Sequence, residues 1–267
     1  MGEQNERPAP RAIAKRQELP SLAQAIRHVH QPESQEVLLA ARRRLIFDEL
    51  FLLQLGMLGQ RRDWQAVPAR PLITSGDLRQ QFIASLPYAL TGAQGRVIEE
   101  IAADLAQSKP MSRMLQGDVG AGKTVVAAAA LVTAVAAGAQ GALMAPTEIL
   151  AEQHYRGLSQ LLEPLGITAV LLTGSKSAGD KRAAYEALAS GQAQVAIGTH
   201  ALIQPDVAFA NLGLTIVDEQ HRFGVNQRKA LKDKGPNGLT PHMLVMSATP
   251  FPARWPSRSM ATSTCRC

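Results

Sequence analysis

GDVGAGKT, residues 117–124, decides the fold of this chain. Gly117, Gly120 and Gly122 interrupt regular structure, and Lys123-Thr124 reopens it into the Ala-rich helical run VVAAAALVTAVAA at 125–137. Just before stands SRMLQ, 112–116, a short run of strand character. Strand, glycine turn, helix is the context that G-x-x-x-x-G-K-[ST] requires. The glycines let the main chain curl until successive N–H groups face one point, at a helix start that already favours anions. Lys123 then reaches the β- and γ-phosphates of a nucleoside triphosphate, and Thr124 offers its hydroxyl to Mg²⁺. The expected ligands are a nucleoside triphosphate and Mg²⁺.

Working outward, the same rhythm repeats. Short apolar runs GALMAP (141–146), ITAVLLTG (167–174), AQVAIGT (193–199), LTIVDEQ (214–220) and HMLVMSAT (242–249) alternate with helical stretches. Strands separated by helices predict βαβ units and a parallel sheet, hence an α/β P-loop domain. Ligands in such sheets bind beyond the carboxyl ends of the strands, so the chemistry belongs just after each run. Asp218-Glu219 after LTIV supplies the acids that a P-loop needs: Asp218 for the metal's hydration shell, Glu219 to orient or deprotonate water. The remaining strand ends carry Pro146-Thr147-Glu148-Ile149-Leu150, Thr173-Gly174-Ser175, Gly198-Thr199-His200 and Ser247-Ala248-Thr249-Pro250, whose small hydroxyl residues and backbone amides suit phosphate contact along a nucleic-acid strand.

Composition bounds the other possibilities. Of 267 residues 46% are hydrophobic and only 4% aromatic, so the core must be Ala, Leu, Val and Ile. The net charge is +6, but three arginines and no acid fall within residues 252–267, so the body is nearly balanced. Basicity alone is therefore poor evidence for a nucleic-acid partner. Both cysteines, Cys265 and Cys267, lie in the same tail, which rules out a disulfide framework or a cysteine metal site before it. The polar N-terminus has no signal-peptide core. The uncharged run 124–147 is Ala-rich and broken by Gly138, Gln140 and Gly141, so it reads as a buried helix-turn-strand rather than a membrane span. A cytoplasmic monomer without membrane contact is expected.

Residues 1–20 read as a disordered lead-in, and 21–79 as a helical linker segment. In the latter, Leu38, Leu39, Leu45, Ile46, Leu50, Leu53 and Met57 recur at helical spacing over 36–61. Arg42, Arg43 and Arg44 read as a solvated face, with phosphate contact as the alternative. DWQAVPARPLITSGD, 63–77, reads as a linker by its prolines and polar residues, and the α/β domain is expected over 80–251.

The motifs LPYALTGAQ (86–94), GDVGAGKT, APTEILAEQH (145–154), LLTG, IGTHALIQ (197–204), VDEQHRFGVNQR (217–228) and MSATP (246–250), in this order, resemble the first motor domain of superfamily 2 DNA helicases. DEQHRFGV with THALIQ is most similar to the RecG family, ATP-dependent helicases of stalled forks and branched junctions. The resemblance covers about residues 18–252, and the helical text at 21–55 resembles the segment that in this family joins the fork-binding wedge to the motor. It implies a RecA-like domain and forked or branched DNA as partner. It further implies that Gln94 reads adenine, and that Lys123, Thr124, Asp218 and Glu219 serve nucleotide and metal. Gln220, His221, Ser247 and Thr249 relay nucleotide state, and Pro146, Thr147, Thr173, Gly174, Thr199 and His200 line the DNA track.

Three departures limit what the resemblance carries. No wedge precedes residue 18, no second motor domain follows residue 252, and PARWPSRSMATSTCRC (252–267) is unlike the family. Shifting the reading frame by one base at Pro252 allows RTLALTQYGDLDVS, the kind of text with which such chains continue. A one-base deletion near 251–252 and a non-native, mobile tail are therefore expected. On that reading the chain is a fragment with weak nucleotide binding and no unwinding. The competing readings are a nucleotide-dependent DNA-binding module, a product without function, and a transcription-repair coupling translocase. The last should carry Asp-Glu-Glu-His where this chain has Asp218-Glu219-Gln220-His221.

Overall fold

The structure, a computed structural model, describes residues 9–219, 234–248 and 264–266. It divides into two units, Met1–Ala66 and Val67–Cys267.

The first unit is helical. α1 (Arg11–Arg16) occupies part of the expected disordered lead-in: the Pro10 carbonyl accepts the Ile13 and Ala14 N–H groups and starts a turn of helix there. α2 (Leu22–His30) begins where Ser21 and Gln24 form a reciprocal capping box, which satisfies two of the N–H groups left over at a helix start. α3 (Gln35–Ala66) is longer than its periodicity predicts and absorbs residues 63–66 of the expected linker. Of the three arginines only Arg42 and Arg43 are solvated. Arg44 is buried and pairs with Asp48 one turn on, at 3.0 Å, so a charge expected in water is instead a buried ion pair. Leu39, Ile46, Leu50 and Leu53 are exposed, because among the described residues of this unit nothing covers that face of α3.

The second unit begins earlier than its motifs predict. Residues 67–79, expected as linker, are bound to the domain: Ala69 and Leu72 N–H donate to the Ser108 and Leu105 carbonyls, and Leu72 is buried. The helices that follow are α4 (Asp77–Ser85), α5 (Gly92–Leu105), α6 (Lys123–Ala136), α7 (Glu148–Leu162) and α8 (Ala178–Ser190). The strands are β1 (Ser112–Gln116), β2 (Gln140–Met144), β3 (Ala169–Leu172), β4 (Val195–Gly198), β5 (Leu212–Asp218), β6 (His242–Ser247) and β7 (Thr264–Arg266). All pair in parallel, in the order β3-β4-β2-β5-β6-β1-β7.

Successive side chains of a strand face opposite sides, and the core divides accordingly. Leu143, Val195, Ile197, Leu214 and Ile216 join a cluster with α4–α7. Met144, Ala196 and Val217, one residue out of step, join the smaller cluster under α8. The α/β expectation holds strand by strand through β6. β7 was not expected: Met114, Leu115 and Gln116 pair with Thr264, Cys265 and Arg266. The free edge of β1 offers unpaired N–H and C=O groups, and three residues of tail suffice to take some of them. The rest of the tail, 252–263 and 267, lies outside the described residues.

Candidate functional site

Strand order sorts the sequence-predicted residues into two groups. GDVGAGKT leaves β1, Ser247 ends β6, and Asp218 ends β5, and these three strands are consecutive in the sheet. With parallel strands about 4.8 Å apart, all three strand ends lie within roughly 10 Å.

Main-chain bonds lock this group. Gly117 N–H donates to the Ser247 carbonyl (3.3 Å), and Glu219 N–H donates to the Met246 carbonyl (2.9 Å). Glu219 Oε1 in turn accepts the Ala248 N–H at 3.1 Å. Glu219 has φ +53°, a left-handed conformation that costs a non-glycine residue of order 1–3 kcal/mol and persists only where its surroundings enforce it. The bonds to Met246 and Ala248 are that enforcement. They turn the carboxylate from the end of β5 toward the end of β6.

The glycine loop is braced from α5. Thr91 and Gln94 form a second capping box, and Gln94 Nε2 then donates to the Ala121 carbonyl at 3.0 Å. Gly122 has φ +77°, and a Cβ there would collide with the Gln94 amide, so conformation and space both demand glycine. Gln94 thus supports the loop with the amide that the resemblance assigns to adenine. Lys123 Nζ lies across the loop, donating to the Gly117 (2.7 Å) and Asp118 (2.8 Å) carbonyls. An ammonium held by loop carbonyls is positioned where phosphate oxygens would replace them. Thr124 follows at the first turn of α6 and is part-exposed.

Asp218 makes a contact that the motif does not foretell: its Oδ2 lies 2.8 Å from His154 Nε2 on α7. Oδ1 remains for a metal's water. Mg²⁺ is a hard cation that uses one or two protein oxygens and completes its shell with water and phosphate. Thr124 and Asp218 could supply such oxygens. Among the described residues there is no group of three acids, histidines or cysteines able to hold a metal by itself.

The second group leaves β2, β4 and β3, the other consecutive half of the sheet. Thr147 caps α7 through the Leu150 N–H (3.3 Å), Pro146 beside it is part-exposed, and Gly174 and His200 are exposed. Thr173 and Thr199, expected to line the track, are buried. Thr173 turns inward to Ser175 Oγ at 3.2 Å, so in these loops it is Gly174, Ser175 and His200 that face outward. Glu148, expected only as part of the loop after β2 and given no role of its own, accepts the Ser175 N–H at 3.2 Å, and hydrogen bonds from the Ser175 side chain and backbone and from Gly174 hold its carboxyl below the ordinary range. Lys181 Nζ donates to the Gly174 carbonyl at 2.7 Å. Glu148 and His154 both lie within APTEILAEQH, but their partners lie 27 and 64 residues away, beyond any spacing rule. Gln220, His221 and Thr249 lie outside the described residues.

The family model of the DEAD/DEAH box helicase matches residues 91–254, and the chain belongs to that family. Within it the chain is strongly homologous to the RecG ATP-dependent DNA helicases. It is 48% identical to that of Synechocystis over 92% of this chain and 29% of the relative. It is 47% identical to that of Bacillus subtilis, over 92% of this chain and 36% of the relative. A solved structure of RecG bound to a three-way DNA junction superposes with a TM-score of 0.84 and 41% identity, over 99% of this chain and 35% of that one. The yeast splicing factor Prp28 shares the fold alone, at 16% identity and a TM-score of 0.53. The chain thus spans about a third of the length of the curated relatives it matches. Among the described residues no helix is long and apolar enough to cross a membrane.

Proposed function

We propose that this chain is the nucleotide-binding motor unit of a RecG-type helicase, a cytoplasmic ATP-dependent enzyme acting on forked or branched DNA. One observation carries the reading: the glycine loop, Asp218-Glu219 and Ser247-Ala248 end three adjacent strands and are tied to one another by main-chain bonds. Preorganised groups of this kind need no rearrangement when charge arrives, which is how phosphoryl transfer is promoted. Loop N–H groups, Lys123 and the start of α6 would hold the phosphates. Mg²⁺, when bound, neutralises phosphate charge, with Thr124 and Asp218 as its protein oxygens. Glu219 would orient the attacking water and accept its proton. Pro146, Thr147, Gly174 and His200 would follow a DNA strand past the other half of the sheet, with Thr173 and Thr199 supporting those loops from beneath. Gln94 would meet adenine by exchanging the amide bonds it makes to Thr91 and Ala121. The similarity to RecG helicases, one of them solved on a three-way DNA junction, supports branched DNA as the substrate.

The test is ATP hydrolysis by the chain with and without forked DNA, in single turnover. Glu219→Gln should keep nucleotide binding and lose turnover, since an amide keeps the shape but accepts no proton. Turnover surviving in that variant removes Glu219 as the base.

A further inference from the structure

The two groups of loops share one element. α7 starts from Thr147 and Glu148 in the second group, and Glu148 fastens that start to the loop after β3. Seven residues past Thr147, about 10 Å along the axis at 1.5 Å per residue, His154 reaches the first group. Thr147, Ala151 and His154 fall on one face of the helix, two turns apart. His154 Nε2 stands 2.8 Å from Asp218 Oδ2, both side chains are 13% exposed, and neither Gln153 nor Tyr155 could make this contact from its own side of the helix.

We infer that His154 is a positioning residue for Asp218, coupling the loops at 146–148 and 173–175 to the acid that serves the metal. This rests on the nucleotide reading above. A carboxylate with one oxygen held by a ring N–H keeps one rotamer, so its free oxygen stays aimed; such outer partners of metal acids set the affinity of the metal they never touch. A neutral ring with its hydrogen on Nε2 makes the bond, so the coupling needs no charge on His154. The main chain of Asp218 is fixed in the sheet opposite Met246, whereas His154 travels with α7. A hydrogen bond of 2.8 Å is weak beyond about 3.5 Å, so a shift of α7 by roughly 0.7 Å along the bond loosens Asp218. A nucleic-acid strand pressing on Thr147 and Gly174 would act through that lever. The bonds from Thr147 to Leu150 and from Glu148 to Ser175 make the helix start and the loop after β3 move as one body.

The experiment uses the full chain, ADP as nucleotide and Mn²⁺ as a paramagnetic probe. Affinity for Mn²⁺ in the ADP complex is read by electron paramagnetic resonance, with and without a single-stranded oligonucleotide. His154→Ala should weaken Mn²⁺ by tenfold or more, leave metal-free ADP affinity within twofold, and abolish the effect of the oligonucleotide on Mn²⁺. His154→Gln, whose amide N–H reaches the same point, should restore most of the affinity. Unchanged Mn²⁺ affinity in His154→Ala overturns the inference. So does an equal loss of metal-free ADP binding, which would mark a packing role, or His154→Gln as weak as Ala. Should the wild-type chain bind ADP no better than Lys123→Ala, the nucleotide reading itself fails, and the coupling with it.

Discussion

The two halves of the sheet's carboxyl edge are built differently. Beyond β1, β6 and β5 main-chain bonds run through the polar groups themselves, Gly117 to Ser247 and Glu219 to Met246, and side chains brace them, Glu219 on Ala248, Gln94 on Ala121 and His154 on Asp218. Beyond β3, β4 and β2 main-chain bonds also tie the strand ends, Ala145 to Gly198 and Thr199 to Leu172, but the loops past them are held by side chains: Glu148 on Ser175, Lys181 on Gly174, Thr173 on Ser175. Main-chain bonds cannot change without moving strands, whereas exposed side-chain bonds exchange with water at little cost. A small, highly charged ligand is best met by the first kind of site. A strand of nucleic acid, which must be gripped and released, suits the second.

Breaking each half should therefore do different things. The largest effect is expected from Lys123→Ala, which removes the full positive charge at the glycine loop. Hydrogen bonds to charged groups contribute about 1.5–3 kcal/mol, so nucleotide affinity by calorimetry should fall at least tenfold while the melting temperature holds. Unaltered affinity would take the first half out of nucleotide binding.

Gly198→Ala attacks the frame of the second half. Gly198 ends β4 opposite Leu172, whose carbonyl would collide with any Cβ. Separation of β3 from β4 there should cost about 1–3 kcal/mol in denaturant unfolding. Nucleotide binding should survive, since the first half does not use these strands; its loss would show the halves to be one cooperative site.

A smaller effect should follow pH at the far end of the sheet. His242 is buried with Nδ1 accepting the Met111 N–H (3.0 Å) and Nε2 on the Arg70 carbonyl (2.9 Å), and burial pushes its pKa below 6.5. The neutral ring satisfies both partners, and a proton on Nδ1 would break the Met111 bond. Because the folded pKa lies below the unfolded one, this stabilisation is complete above about pH 6.5 and is lost as pH falls toward the folded value. Thermal melts between pH 8 and 5 should be flat at first and then decline, and His242→Gln should reduce the decline. Since this site lies at the amino ends of the strands, nucleotide affinity corrected for unfolding should not follow it.

The mildest change is Glu148→Gln, which weakens the tie to Ser175 without removing it. DNA affinity should fall a few-fold, with metal-free nucleotide affinity unchanged. In the wild type the tie should persist below the usual carboxylate range and release only in acid, because hydrogen bonding to Ser175 lowers the pKa of Glu148. A DNA affinity indifferent to Glu148→Gln would detach the loop after β3 from the track.

What the amino-acid sequence determined by itself was local. Six strands, the helices between them and the glycine loop were legible because hydrophobic period, glycine placement and the Lys123-Thr124 pair act within a few residues of one another. Capping boxes at Ser21 and Thr91 belong to the same class, each closed within four residues. Only the tertiary structure decided the order β3-β4-β2-β5-β6-β1, and with it the division of the motifs into two halves. It also buried Thr173, Thr199 and Arg44, drew residues 67–79 into the domain, and set His154 on Asp218 across 64 positions of chain. The physical reason is the same for each. A residue's type limits which bonds it can make, but burial and long-range partners come from sheet pairing and helix packing, and these depend on every segment at once.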